Sequence, residues 1–409
     1  MPTTEKILTY RKEVETELHH NILPFWERHG LDRENQGFYG HISNDLIVDK
    51  EVEKGCVLNS RILWTYASAY RLTKDPRYLE MAKRAYEFML NHFWDKEYSG
   101  LYWMVDFKGN PVDTQKRTFN LAFGIYALAE LYAASGIFEC LDKAVELYKI
   151  IEAKGYDHEN KGYLEAFSRE WLPADDCRLS VTDLNGKRSL NTHLHIIEAY
   201  TNLLRVWENA ALRERLKELL MTLIDNILDS DTFHFKLYLD ENWHAVAPLI
   251  SYGHDIEGSW LMCESAQILN DKNLLDKVKD IAVVMAQRVY DQGLDNDYGG
   301  LYYESLCSVI DTDKHWWPQA EAMIGFLNAY ELTGKECFFE ASLEVWRFIK
   351  NYIIDTQNGE WFAKVSKDGR VFYDYLKVGP WKCPYHNSRA CFEVLERLAR
   401  LAKSIPDIE

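Results

Sequence analysis

Three histidines, two glutamates and an arginine fall at one phase of a recurring helical pattern. In NTHLHIIEAYTNLL, Asn191 and His195 are four residues apart and share a helix face. In HDIEGSWLMCESAQ, His254, Glu257 and Trp260 follow one another at steps of three. WWPQAEAMIGFLNAY sets Trp317 and Glu321 four apart, and HNSRACFEVLERL opens with His386 after a GPWKCPYHN loop carrying Trp381. NSRILWTYASAY offers Arg61, and Lys116 and Arg117 stand at the start of a sixth such segment. Histidines flanked by carboxylates move protons near neutral pH. Two such bases facing one carbon can take a proton from one side and return it to the other, while a fixed arginine steadies the oxyanion between. That is proton abstraction next to a carbonyl, as in epimerisation or isomerisation of an open-chain sugar, with tryptophans to stack on sugar faces.

Each residue alone has a plainer reading. A histidine at a helix start can be a cap, and Glu257 and Glu321 can complement helix dipoles. His193 lies two residues from His195, on another side of the helix, and reads as packing. Cys383 near His386 suggests a thiol nucleophile only weakly, because so close a pair rarely aims both groups together. A metal site of His195, His254, Glu257 and His386 lacks a standard ligand spacing, so no metal is expected. Two carboxylates such as Glu257 and Asp183 would suit a glycoside hydrolase, but that leaves three histidines unexplained. Recurrence at one phase is what favours the site.

The elements that must position these residues come in six copies. A glycine-aromatic segment returns as QGFYGHI, SGLYWMV, KGYLEAF, GGLYYES and NGEWFAK, with Gly37, Gly100, Gly162, Gly300 and Gly359 spaced by 63, 62, 138 and 59. The double gap predicts a further copy, and TFHFKLYL from Thr232 supplies it without the glycine. Each copy reads as a short strand or hairpin. Amphipathic helices such as YLEMAKRAYEFMLNHF alternate with the more apolar segments above, which are buried inner helices. Six inner and six outer helices predict an all-α, closed (α/α)6 barrel; an open solenoid is the alternative, but it would need polar caps. No Pro- or Gly-rich linker interrupts the chain, so residues 1–409 are expected to form one catalytic domain.

Of 409 residues, 47 are basic and 64 acidic, a net charge of −17 that disfavours nucleic acid or an anionic membrane as partner. No apolar run is long enough to span a bilayer, and MPTTEKILTY lacks the features of a signal peptide. Eight scattered cysteines read as reduced thiols in a cytoplasmic protein. Neither a GxGxxG after a strand nor a P-loop is present, so no nucleotide cofactor is indicated. Aromatic residues are 14% of the chain, enough to fill a large core or to line a sugar cleft.

NSRILW, LNTHLHIIEAYTNL, SYGHDIEGSWLM, WWPQAEAMIGFLNAY and GPWKCPYHNSR resemble the N-acylglucosamine 2-epimerase superfamily, closest to its cellobiose 2-epimerase branch, over about Phe25 to Leu398. The resemblance implies an (α/α)6 barrel with no required metal or redox cofactor. It implies conversion of the reducing-end glucose of β-1,4 disaccharides such as cellobiose and lactose to mannose, through a cis-enediol(ate). It gives His254 and His386 the acid/base work at C2, His195 ring opening and proton relay, and Arg61 the reacting hydroxyls. Glu257 and Glu321 orient histidines and substrate. Asn191, Asp183, Trp317, Trp381 and Trp260 are expected at the sugar. Phe119 stands where many relatives have Tyr. The alternatives within the family are a mannose 2-epimerase acting on the free monosaccharide and an aldose-ketose isomerase.

Overall fold

The computed structural model describes residues 2–180 and 183–404, in which twelve long helices form two concentric rings. The inner ring is α2 (Cys56–Thr73), α4 (Thr118–Ser135), α6 (Leu190–Val206), α8 (Tyr252–Leu269), α10 (Trp316–Thr333) and α12 (Tyr385–Ser404). The outer ring is α1 (Thr4–Glu17), α3 (Pro76–Phe88), α5 (Phe138–Ile150), α7 (Ala210–Thr222), α9 (Lys272–Gln292) and α11 (Glu336–Phe348). The composition of each ring follows from its surroundings. α4, TFNLAFGIYALAELYAAS, is apolar on every side and buried almost throughout. α3 buries Tyr78, Met81, Ala82, Ala85, Tyr86 and Phe88 on one stripe; Asp75 caps its start and Pro76 takes its first position. α4 and α10 both stop at a left-handed residue, Gly136 at φ 73° and Gly334 at φ 69°.

Each inner helix packs on the next, and α12 returns to α2, so the ring is closed and the open solenoid is excluded. α1, first in the chain, lies outside α12, the last helix. It buries Ile7, Tyr10 and Val14 there and ties to α11 through Tyr10 Oη to Ser342 Oγ at 3.0 Å and Glu13 Oε2 to Trp346 Nε1 at 2.8 Å.

The six expected hairpins are present. Leu31–Phe38, Trp94–Leu101, Tyr156–Tyr163, Leu228–Phe235, Leu294–Leu301 and Ile354–Trp361 are antiparallel bridges of one design. Each follows an outer helix and turns on an aspartate: Asp95 Oδ1, for example, accepts the amides of Glu97 and Tyr98. In five copies that aspartate also meets a buried cation, giving Asp32–Lys54, Asp95–Lys116, Asp157–Arg188, Asp295–Lys314 and Asp355–Lys377. The glycine pattern needs two refinements. His234 fills the glycine position in the fourth copy. In the sixth, Gly359 lies one residue early, and Glu360 takes the position at φ 63°.

Strands of two or three residues stitch each copy to the next by antiparallel pairing, as in Gly55–Met104, Arg117–Ala166 and Ser189–Tyr238. The bridge Ile42–Val378 closes this outer loop circle as well. All eight cysteines are free thiols. Among the described residues no helix is long and apolar enough to cross a membrane.

Candidate active site

The stitched loops surround a cavity of about 970 Å³, to which all six inner helices contribute near their N-terminal ends. Arg61 comes from α2, Phe119 from α4, Asn191 and His195 from α6, His254 and Glu257 from α8, Trp317 from α10 and His386 from α12. Loops add Asp183 and Trp381. The repeat places one helix start after another around a single mouth, so residues scattered over the chain converge.

The three histidines are each fixed through Nδ1. His386 Nδ1 lies 2.7 Å from Glu321 Oε1, His195 Nδ1 2.9 Å from Glu198 Oε2, and His254 Nδ1 2.9 Å from Ser251 Oγ. No protein group among the described residues bonds their Nε2 atoms, which leaves that nitrogen for a ligand in the cavity. Burial, with His195 nearby, pushes His254 down to about 3. Burial and the Arg61 and Arg389 charges drive His386 well below the ordinary histidine value. Both imidazoles are therefore neutral in the free site near pH 7, the form needed to accept a proton.

Behind them lies one cation shared by three carboxylates. Arg389 bonds Glu198 and the Tyr385 hydroxyl through one guanidinium nitrogen, and Glu257 and Glu321 through the other. Burial raises Glu198, but Arg389 and His195 outweigh it and hold that carboxyl at about 2. Burial and the neighbouring Glu321 push Glu257 up to about 7, against Arg389. Burial also raises Glu321. The shared arginine thus holds Glu198 ionised, while at Glu257 and Glu321 burial outweighs it and shifts both carboxyls upward.

Arg61 is 4% exposed yet makes no ion pair among the described residues. Its guanidinium lies over Phe123 and Tyr385, 4.3 and 4.9 Å from their centroids, and touches the Trp381 carbonyl at 3.5 Å. A buried cation without a carboxylate, facing the cavity, suits a developing oxyanion. Trp317 packs against both His254 and His386, at 4.7 and 5.7 Å between centroids. Trp381 stands near Trp103 and Phe119, and Phe119 meets His195 edge-on at 5.2 Å. The ring at 119 offers the cavity an apolar edge.

Asn191 and Asp183 line the cavity, with Asp183 accepting from Ser180. Trp260 does not. Two steps of three residues from His254 rotate it about 120° away, and its Nε1 instead donates to Glu321 Oε2 at 3.2 Å. Its expected sugar contact is replaced by a hold on Glu321. Glu321 itself is wholly buried behind His386 and outside the lining. Lys116 belongs to the Asp95 turn, and Arg117 donates to the Arg178 carbonyl. His193 accepts the Tyr163 amide at 3.0 Å and holds its hairpin, in line with packing. Cys383 is buried, and burial raises its thiol. Glu198, Ser251, Tyr385 and Arg389 were not singled out in the sequence. Glu198 and Arg389 carry a signal all the same, since each lies three residues beyond a cavity histidine on the same helix.

For a metal, Glu257, Glu321 and His386 offer ligand atoms within 4.8 Å of one another, a different set from the four residues considered in the sequence. Both carboxylates are already paired to Arg389, so the donor set fits the guanidinium it holds better than a metal ion.

Residues 37–390 match the model of the N-acylglucosamine 2-epimerase (GlcNAc 2-epimerase) family. The chain is 42% identical over 386 residues to a cellobiose 2-epimerase of Bacteroides fragilis, covering 94% of this chain and 98% of the relative. It is 43% identical over 387 residues to a cellobiose 2-epimerase of Ruminococcus albus, with the same coverage. The solved structure of a cellobiose 2-epimerase from Bacillus thermoamylovorans superposes with a TM-score of 0.92 at 40% identity, covering 95% of this chain and 99% of that one. The protein belongs to the N-acylglucosamine 2-epimerase family.

Proposed function

We propose that the protein is a cellobiose 2-epimerase, inverting C2 of the reducing-end glucose in β-1,4 disaccharides. The carrying observation is the pair His254 and His386, both packed against Trp317, both neutral, and both with Nε2 free toward one cavity. The family and its cellobiose-epimerising relatives support the same reading. The cavity is at the upper end of the roughly 300–1,000 Å³ range of small-molecule sites, and that suits two sugar rings better than one.

In the open-chain aldose, the neutral Nε2 of one histidine takes the C2 proton. The C–H electron pair forms the C1=C2 bond, and the carbonyl π pair moves to O1, where Arg61 meets the charge. The other histidine takes up a proton from solvent as the negative enediolate forms beside it, and delivers that proton to the opposite face of C2 while the electrons return to the carbonyl. The first histidine returns its proton to solvent, which leaves both neutral for the next turnover. His195, backed by Glu198, is suited to moving the ring-oxygen proton when the hemiacetal opens and closes. Trp317 and Trp381 serve as stacking faces, and Asn191 and Asp183 bind hydroxyls.

The test is incubation of the purified protein with cellobiose, lactose or mannose, followed by chromatography. The expected products are the 2-epimers of the disaccharides. Free glucose from cellobiose would indicate hydrolysis instead. Turnover of mannose with disaccharides untouched would move the assignment to the monosaccharide enzyme.

A further inference from the structure

The sixth repeat departs from the other five at one residue, and the departure leads to the cavity. At the fifth position after the turn aspartate, four copies have glycine and one has His234. The sixth has Glu360, held at φ 63°, a left-handed conformation unfavourable for a residue with a Cβ. The side chain is completely buried. Its Oε1 accepts from Asn387 Nδ2 at 2.7 Å and Trp26 Nε1 at 3.4 Å, and its Oε2 accepts from the Trp361 amide and from Lys382 Nζ. Lys382 is 4% exposed, lies over the Trp316 ring and lines the cavity.

The repeated aspartate–lysine pair is also present here, since Lys377 bonds Asp355 and the Gly359 carbonyl. The Glu360–Lys382 pair is therefore an addition to the shared design. Only four residues lie between the two lysines, and both are gripped by one turn, so the loop between them has little freedom. That loop carries Trp381, whose carbonyl meets Arg61, and its far end enters α12, where Asn387 follows His386. A buried ion pair holds its geometry when further hydrogen bonds satisfy its remaining atoms, as Asn387, Trp26 and the Trp361 amide do for Glu360.

We infer that Glu360 and Lys382 are positioning residues for substrate binding: their ion pair fixes Trp381 as a stacking face for the disaccharide. The inference rests on the reading of Trp381 as a sugar contact. It is tested by a double-mutant cycle of Lys382→Met with Trp381→Ala, reading kcat and KM for cellobiose separately. Lys382→Met is expected to raise KM about fivefold or more with kcat within about threefold, and to add almost nothing once Trp381 is alanine. A purely structural pair would lower the melting temperature and shift both constants, adding its full effect in the double variant. That additivity, or an unchanged KM in Lys382→Met beside a raised KM in Trp381→Ala, overturns the inference alone. An unchanged KM in Trp381→Ala overturns the stacking reading and the inference with it. Glu360→Gln gives the same readout if Lys382→Met does not fold, because it keeps the acceptor for Asn387 and Trp26 and removes the charge facing Lys382.

Discussion

His386 Nδ1 rests 2.7 Å from a buried carboxylate, Glu321, whereas the equivalent nitrogen of His254 rests 2.9 Å from a hydroxyl, Ser251. The two cavity bases are therefore supported unequally. A carboxylate behind an imidazole fixes its orientation and stabilises the charged form, and a hydroxyl does only the first. Glu321→Gln should lower kcat/KM for cellobiose by about 10²-fold or more, and Ser251→Ala by less than about tenfold. Steady-state kinetics on the two variants decide it; equal losses would show that orientation alone matters.

Inversion at C2 by two bases makes a labelling prediction. In deuterium oxide the wild-type product should carry deuterium at C2. His254→Asn and His386→Asn should each lose epimerisation by about 10²–10⁴-fold. Each variant should still wash deuterium into one epimer without inverting it, and the two variants should choose opposite epimers. Near-normal epimerisation by either one would refute the pair.

Arg389 compensates three buried acids, and removing it leaves them facing one another. Arg389→Met should destabilise the fold by about 3–5 kcal/mol, as expected when one partner of a buried ionic cluster is lost. Denaturant unfolding measures this. A loss under about 1 kcal/mol would show that the carboxylates simply take up protons.

His254 also links stability to pH. Burial holds it neutral down to about 3, while an ordinary histidine near 6.5 is the reference for the unfolded chain. Its folded value is depressed, so its stabilisation is complete above 6.5 and is lost as pH falls toward 3. The ring faces the cavity and is part-exposed, so the loss near pH 5 should be about 1–2 kcal/mol rather than the full linkage value. The stability of the wild type relative to His254→Asn should fall by that amount between pH 7 and pH 5, as read by thermal unfolding. Parallel curves would assign the acid sensitivity elsewhere.

What the sequence disclosed reflects which physical signals are local. The sixfold helix pattern and the chemistry at one phase of it are properties of spacing, so the closed barrel and the cavity positions of Arg61, His195, His254, Glu257 and His386 were readable. Direction around a helix was harder. Trp260 continues the His254–Glu257 stripe on paper, yet each step of three turns it a further 60°, and it ends behind Glu321. The role of Arg389 is not legible from spacing, because its three partners come from α6, α8 and α10 and only tertiary packing brings them together. Gly359 misled the alignment of the sixth copy by one residue, since two adjacent positions of the turn are left-handed and either can take the glycine.

The seating of α1 outside α12 has a consequence for how the protein is made. α1 leaves the ribosome long before its partner α12 is made, so Ile7, Tyr10 and Val14 wait uncovered until Tyr385–Ser404 has been translated. Ring closure thus waits for α12, and a nascent chain arrested before Tyr385 should present α1 to chaperones or proteases that the folded protein no longer admits.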